Sequence, residues 1–195
     1  SKHRVKLLFK SPTGNVKLKL VLRKKGMDTS AAKIAAAKAL VAKSDVGIVV
    51  VGIDEGEFLD RSSLKLPGNQ EKLILELART GKPLVVLLNG GSAVNMENWI
   101  EKVPTILQIW YPGEQGGPAV CDVLYGQHNP SGRLPFTYPR NEGHLPLNYN
   151  HKPTGRGDDY IAESGLPLFP FGFGLSYTTF DYSQLQLTPK QSTGK

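Results

Sequence analysis

The sequence predicts an α/β fold, a three-layer sandwich built on a mostly parallel, doubly wound sheet. Three observations carry this expectation. Residues 46–53, 83–88 and 105–110 are short apolar runs rich in β-branched residues, without the alternation of a half-exposed strand. Helical patterns precede and separate them, so strand and helix alternate as in βαβ units with right-handed crossovers. The chain has 195 residues, 39% hydrophobic and 21% charged, which suits one packed core and not a disordered segment.

Taken in order, residues 3–10 and 16–23 are strand-like, and Ser11-Pro12-Thr13-Gly14-Asn15 turns between them. A lone hairpin is marginal in water. Residues 1–27 therefore read as a β-hairpin, the end of a β lobe. Residues 30–43 are Ala-rich and helical, with Thr29 or Ser30 available as the N-cap. Residues 69–80 place Leu73, Ile74 and Leu77 on one side of a helix that Gly81 should stop. Residues 95–102 read as a short helix and 116–124 as a longer one. The segment 129–139 suggests a turn and a short strand, and 140–167, rich in Gly, Pro, Asn and charge, a long surface loop. The alternating Phe180-Asp-Tyr-Ser-Gln-Leu-Gln-Leu187 resembles the opening strand of a β-sandwich. Three units result: the hairpin 1–27, an α/β domain 28–176, and 177–195 as the start of a β-sandwich or a loose tail.

Net charge is +7, and the basic residues crowd the first 25 positions, where no Asp or Glu occurs. Lys and Arg alternate there with Val and Leu, as on a solvated strand face, and no nucleic-acid-binding motif accompanies them. No apolar run approaches the roughly 18 residues of a membrane span. No nucleic acid, membrane, metal or cofactor is therefore expected. The single cysteine, Cys121, lies in an apolar helical stretch and reads as a buried small residue.

Ligands of an open α/β sheet bind beyond the carboxyl ends of its strands. That rule selects three loops: 54–61, 89–92 and 111–117. The first holds Asp54, Glu55, Glu57 and Asp60, and crowded carboxylates can raise one another's pKa, as a general acid requires. The residues alone leave open which of the four acts, or whether the loop is simply solvated. Asp60 and Arg61 could equally form structural pairs that pin it. The glycines of the other two loops fit tight turns better than phosphate cradles, since neither loop is a Gly-x-Gly-x-x-Gly or a P-loop.

The motifs then become specific. Glu55-Gly-Glu57-Phe-Leu-Asp60-Arg61 leads into Leu64-Lys-Leu-Pro67-Gly68-Asn69-Gln70. Gly81-Lys-Pro83, Asn89-Gly90-Gly91, Trp110-Tyr-Pro112-Gly113-Glu114-Gln-Gly116-Gly117, Asn129-Pro130-Ser131-Gly132-Arg133-Leu134-Pro135 and Phe169-Pro-Phe-Gly172-Phe-Gly174-Leu-Ser176-Tyr177 follow in order. Over residues 30–182 this series resembles the C-terminal α/β domain of glycoside hydrolase family 3, the β-glucosidases and β-xylosidases. The resemblance implies that the hairpin 1–27 is the remnant of an inserted β-sandwich lobe and that 177–195 is the start of a fibronectin type III-like domain. The resemblance implies a retaining mechanism in which an Asp nucleophile on a (β/α)8 barrel works with a Glu of the α/β domain. That Glu stands three residues before the Asp of Asp-Arg, which is Glu57, with Glu55 as runner-up. Phe58, Asp60 and Arg61 would contact substrate. The implied partner is a β-linked saccharide, ending in β-D-glucose or β-D-xylose, bound together with a barrel this chain does not contain. The chain alone would then be inactive, and the parent periplasmic or secreted. The alternatives are a non-catalytic carbohydrate-binding or scaffold module using Phe58, Trp110 and Tyr111, and, more distantly, a flavodoxin-like nucleotide binder. Oligomeric state is not encoded in any of these features.

Overall fold

A computed structural model describes residues 30–58, 60–152 and 160–186. The expected hairpin, residues 153–159 of the expected surface loop and the stretch 187–195 lie outside the described residues. Within them the fold is α/β. Helix α1 (Ser30–Ala42) leads to strand β1 (Gly47–Gly52), α2 (Gln70–Ala78), β2 (Leu84–Asn89), a 3-10 turn at Ile100–Lys102, β3 (Thr105–Trp110), α3 (Gly116–Leu124) and a second 3-10 turn at Glu142–His144. The three strands form one parallel sheet in the order β1-β2-β3. Their carboxyl ends therefore share one edge, which is where the site is built.

The core follows from the sequence pattern. In α1, Ile34 and Val41 lie seven residues apart on one face and are buried. In α2, Ile74 and Leu77 are buried, and Gly81 at φ 72° ends the segment in the left-handed region that glycine tolerates best. Lys38 of α1 reaches Glu76 of α2 at 2.8 Å and ties the two helices together. Against them pack Val49 and Val51 of β1 and Leu84, Val86 and Leu88 of β2, all with little or no exposure.

The opposite face of β1 departs from expectation. Ile48 is 52% and Val50 62% exposed, so β1 is buried on one face only. An apolar run records that a strand can be covered on both sides, but not that it is. Among the described residues no element covers this face of β1. Helix α3 is likewise mostly exposed, and Cys121 with it, contrary to the buried position expected.

Two further segments differ from the sequence pattern for identifiable reasons. The helix expected over 95–102 contracts to Ile100–Lys102. The Asn95 side chain accepts the Glu97 N–H at 3.1 Å, a local turn that competes with helix formation. The short strand expected in 129–139 is reduced to one antiparallel bridge, Tyr138 with Phe169. Pro135, Pro139 and Pro170 lack the N–H groups a longer ladder would need.

That bridge matters to the site. Tyr138 is 1% exposed and stacks with Phe136, and its ring also meets Phe169 edge-on. Its hydroxyl accepts the buried Val94 N–H at 2.9 Å, fixing the loop that follows β2. Burial pushes the Tyr138 phenol pKa up, so it stays neutral throughout the working pH range. Tyr138→Phe should leave the Val94 N–H unpaired and cost about 1–3 kcal/mol. For a domain of this size that is a fall of about 2–12 °C in Tm, measurable by calorimetry.

Candidate active site

The loops following β1, β2 and β3 are the three selected by the strand-end rule, and the structure brings them together. Arg61 is the hub. Its Nε donates to Glu55 Oε1 at 2.7 Å, Nη1 to the Ser63 carbonyl at 3.2 Å, and Nη2 to Ser92 Oγ at 2.7 Å and the Ala93 carbonyl at 2.9 Å. The planar fork of a guanidinium suits such a junction, where a lysine would keep one point contact. Glu55 in turn accepts from the Ser92 hydroxyl and, at 3.2 Å, from the Gly91 N–H. The third loop closes against the same spot. A Cβ on Gly91 would lie 2.9 Å from Tyr111 Cε2 and 3.3 Å from Glu55 Oε2, so glycine is what permits this approach.

The loop is also held at its two ends. The Gln70 side chain, at the start of α2, pairs with both backbone groups of Gly52, the last residue of β1. It accepts the Gly52 N–H at 2.6 Å and donates to the Gly52 carbonyl at 2.8 Å. Farther along, Leu64 donates its N–H to Glu142 at 2.5 Å, while its carbonyl accepts the Asn95 N–H at 2.8 Å.

What remains free is the apex. Glu57 is exposed and makes no hydrogen bond or ion pair among the described residues. Phe58 beside it is 92% exposed and sits at φ 64°, a conformation costing an aromatic residue about 1–3 kcal/mol. Asp54 and Asp60 are exposed as well. The acids of this loop thus fall into different environments. Glu55 is half-buried and committed to Arg61, Ser92 and Gly91, whereas Glu57 projects into solvent.

The electrostatics follow the geometry. Burial opposes ionisation of Glu55, but hydrogen bonds from Ser92 and Arg61, the Arg61 charge and the Gly91 N–H outweigh it, and its pKa falls below the usual 4.5. Glu142 is lowered too, chiefly by the Ser63 hydroxyl, then by its own and the Leu64 backbone N–H groups. Both folded-state pKa values lie below those of the unfolded chain. Their stabilisation is therefore fully present above about pH 4.5 and lost as pH falls through the folded values. Urea midpoints should stay level from pH 7 to 5 and drop below pH 4.5, and Glu55→Gln should flatten that drop.

Of the residues singled out from sequence, Glu55 and Arg61 meet directly, while Glu57, Phe58 and Asp60 cluster at the exposed apex. Three anchors were not singled out: Ser92, Gln70 and Glu142. Gln70 closes the Leu64-Lys-Leu-Pro67-Gly68-Asn69-Gln70 motif and Ser92 closes the loop 89–92, so motif and strand-end position were the available signals for these two. Nothing local marks Glu142. Among the described residues no group of His, Cys, Asp and Glu is arranged to hold a metal ion.

Comparison with known proteins agrees with this architecture. The family described as glycosyl hydrolase family 3 C-terminal domain matches residues 6–177. A periplasmic β-glucosidase of Salmonella typhimurium is 40% identical over 159 residues, and a β-xylosidase of Formosa agariphila 42% over 154. Each alignment takes in 75% of this chain and 21% of the relative, so the chain spans about a fifth of their length. Among solved structures, the β-glucosidase of Listeria innocua in complex with glucose has a TM-score of 0.74 at 30% identity, covering 81% of this chain and 24% of that one. A β-glucosidase of Erythrobacter marinus gives 0.73 at 41% identity, covering 78% and 22%. With an α/β sheet, an acidic loop at its carboxyl edge and a family match across most of its length, the chain belongs to glycosyl hydrolase family 3, in the region of that family's C-terminal domain.

Proposed function

We propose that this chain is the C-terminal α/β domain of a retaining β-glycosidase acting on terminal, non-reducing β-D-glucosides or β-D-xylosides, and that Glu57 is its general acid/base. The observation that carries the reading is the division of labour in the β1 loop. Glu55 is fixed as a carboxylate by Arg61, Ser92 and Gly91, which suits an anchor and not a proton donor. Glu57 stands on the exposed apex of the loop so anchored, free to face a second surface.

The second surface is a barrel carrying an Asp nucleophile. In the first step the Asp carboxylate bonds to the anomeric carbon, the glycosidic C–O bond breaks, and the Glu57 proton passes to the departing oxygen. In the second step the Glu57 carboxylate takes a proton from water, whose oxygen bonds to the anomeric carbon as the Asp–sugar bond breaks. The two carboxyl groups of such a pair stand about 5–5.5 Å apart, so the sugar sits between the surfaces. Phe58 and Asp60, exposed on the same loop as Glu57, are the proposed substrate contacts. Arg61, with all three guanidinium nitrogens committed inside the protein, serves the loop rather than the sugar.

On this reading the 195-residue chain alone does not turn over aryl β-glucosides. Turnover by the isolated chain that Glu57→Ala abolishes would contradict the need for a barrel. A second reading, a carbohydrate-binding module, draws on the exposure of Phe58 (92%) and Tyr111 (53%). Calorimetric titration of the isolated chain with glucose, xylose and cello-oligosaccharides separates the two: half a site gives no measurable heat, a binding module does. A periplasmic or secreted parent accords with the periplasmic relative.

A further inference from the structure

We infer that Glu142, on a segment remote in sequence from the acidic loop, is a positioning residue for the acid/base. The inference rests on Glu57 having that role. Glu142 Oε1 accepts two hydrogen bonds from the descending arm of the β1 loop, from Ser63 Oγ at 2.7 Å and from the Leu64 N–H at 2.5 Å. Ser63 and Leu64 stand two and three residues after the Arg61 hub, and Arg61 Nη1 holds the Ser63 carbonyl. The Leu64 carbonyl is gripped from the other side by the Asn95 N–H. Leu64 is thus clamped through both backbone groups, and Glu142 is the only half of that clamp supplied by a side chain.

Glu142 is itself well supported. It opens the Glu142–His144 turn, whose cap is the Asn141 side chain accepting the Gly143 N–H at 2.8 Å. Asn141 Nδ2 also donates to both oxygens of Glu163, at 2.9 and 2.7 Å. His144 is 3% exposed and stacks on Tyr160. A fixed base carrying a carboxylate onto two donors of a functional loop is the geometry by which a remote residue sets a reacting group's position. Displacements of about 1 Å are enough to cost large factors in rate. Glu142 reaches neither Glu57 nor the exposed apex, so it acts through Ser63 and Leu64.

The test uses the full-length enzyme carrying this chain, with phenyl and 2,4-dinitrophenyl β-glucosides as probes. Phenol is a poor leaving group and needs protonation; dinitrophenolate does not. Glu142→Ala should lower kcat/KM for the phenyl substrate about tenfold with KM within twofold, and leave the dinitrophenyl value within twofold. Glu142→Gln keeps an acceptor oxygen and should hold the phenyl value within threefold of the parent. Equal losses on both substrates, or none on the phenyl substrate, would overturn the assignment. Should Glu142→Ala fail to fold, Ser63→Ala removes one partner of the same oxygen and should shift the phenyl-to-dinitrophenyl ratio in the same direction; an unchanged ratio overturns the assignment. Glu57→Ala is measured alongside. If it does not discriminate between the substrates, the acid/base reading fails by itself; if it does and the Glu142 and Ser63 variants do not, only the positioning role fails.

Discussion

In the full-length enzyme, Glu57→Ala is expected to lower kcat/KM for phenyl β-glucoside by about 10²- to 10⁴-fold, the usual contribution of general acid catalysis. For 2,4-dinitrophenyl β-glucoside the same variant should lose only a few-fold in kcat/KM, because that leaving group departs without a proton. Its kcat should nevertheless fall, since water must still be activated in the second step. Steady-state kinetics on the two substrates reads both effects. The parallel variant Glu55→Ala should behave differently. Glu55 is the counter-charge at the Arg61 hub and not a free acid, so its removal should displace the whole apex, Phe58 and Asp60 with Glu57, and depress both substrates, unlike loss of Glu142 on the descending arm.

The second large effect is on stability. Arg61→Ala removes four hydrogen bonds and leaves Glu55 half-buried without its counter-ion. Stripping one partner from a fully buried pair costs about 3–5 kcal/mol. Both side chains here are 19% exposed, and solvent screening reduces the figure to about 2–4 kcal/mol. Arg61→Lys should recover less than half of it, because one ammonium cannot reach Glu55, Ser92 and both carbonyls. Urea titration of the isolated chain measures the loss. A loss of unfolding free energy under about 0.5 kcal/mol for Arg61→Ala would show that the β1 loop is not organised around this residue.

Much of this arrangement was legible in the amino-acid sequence, for physical reasons. Strand β3 and helix α3 stand at the positions their patterns predict, since β-branched runs and Gly-bounded apolar helices are local signals. The strand-end rule located the three loops because a parallel sheet places all its carboxyl ends together. The roles of individual acids were less legible. Glu55 and Glu57 look alike in sequence, and what separates them is Ser92 and the Gly91 N–H, brought in by the next loop along the sheet edge. Glu142 is harder still: its partners lie 78 and 79 residues away, and no spacing rule connects them. The open face of β1 illustrates the reverse limit. Ile48 and Val50 satisfy the pattern of a doubly covered strand, yet coverage depends on what packs there and not on the strand itself.

Gln70 occupies middle ground. It sits in the Leu-Pro-Gly-Asn-Gln run, where the sequence marks it as part of a motif without indicating why. The structure gives the reason: an amide offers one donor and one acceptor to Gly52, satisfying both backbone groups where β1 ends and the loop begins. Gln70, Arg61 and Glu142 hold the loop at separate points and leave Glu57 at the exposed apex.

The division between a fixed Glu55 and a free Glu57 is tested most directly by azide rescue of the two alanine variants in the full-length enzyme, with the product identified by NMR. With the acid/base removed, azide can attack the glycosyl–enzyme intermediate without base assistance. Glu57→Ala should regain turnover of the dinitrophenyl substrate with azide and release a β-glycosyl azide, while Glu55→Ala should show neither. A β-glycosyl azide formed by Glu55→Ala, and none by Glu57→Ala, would contradict the account.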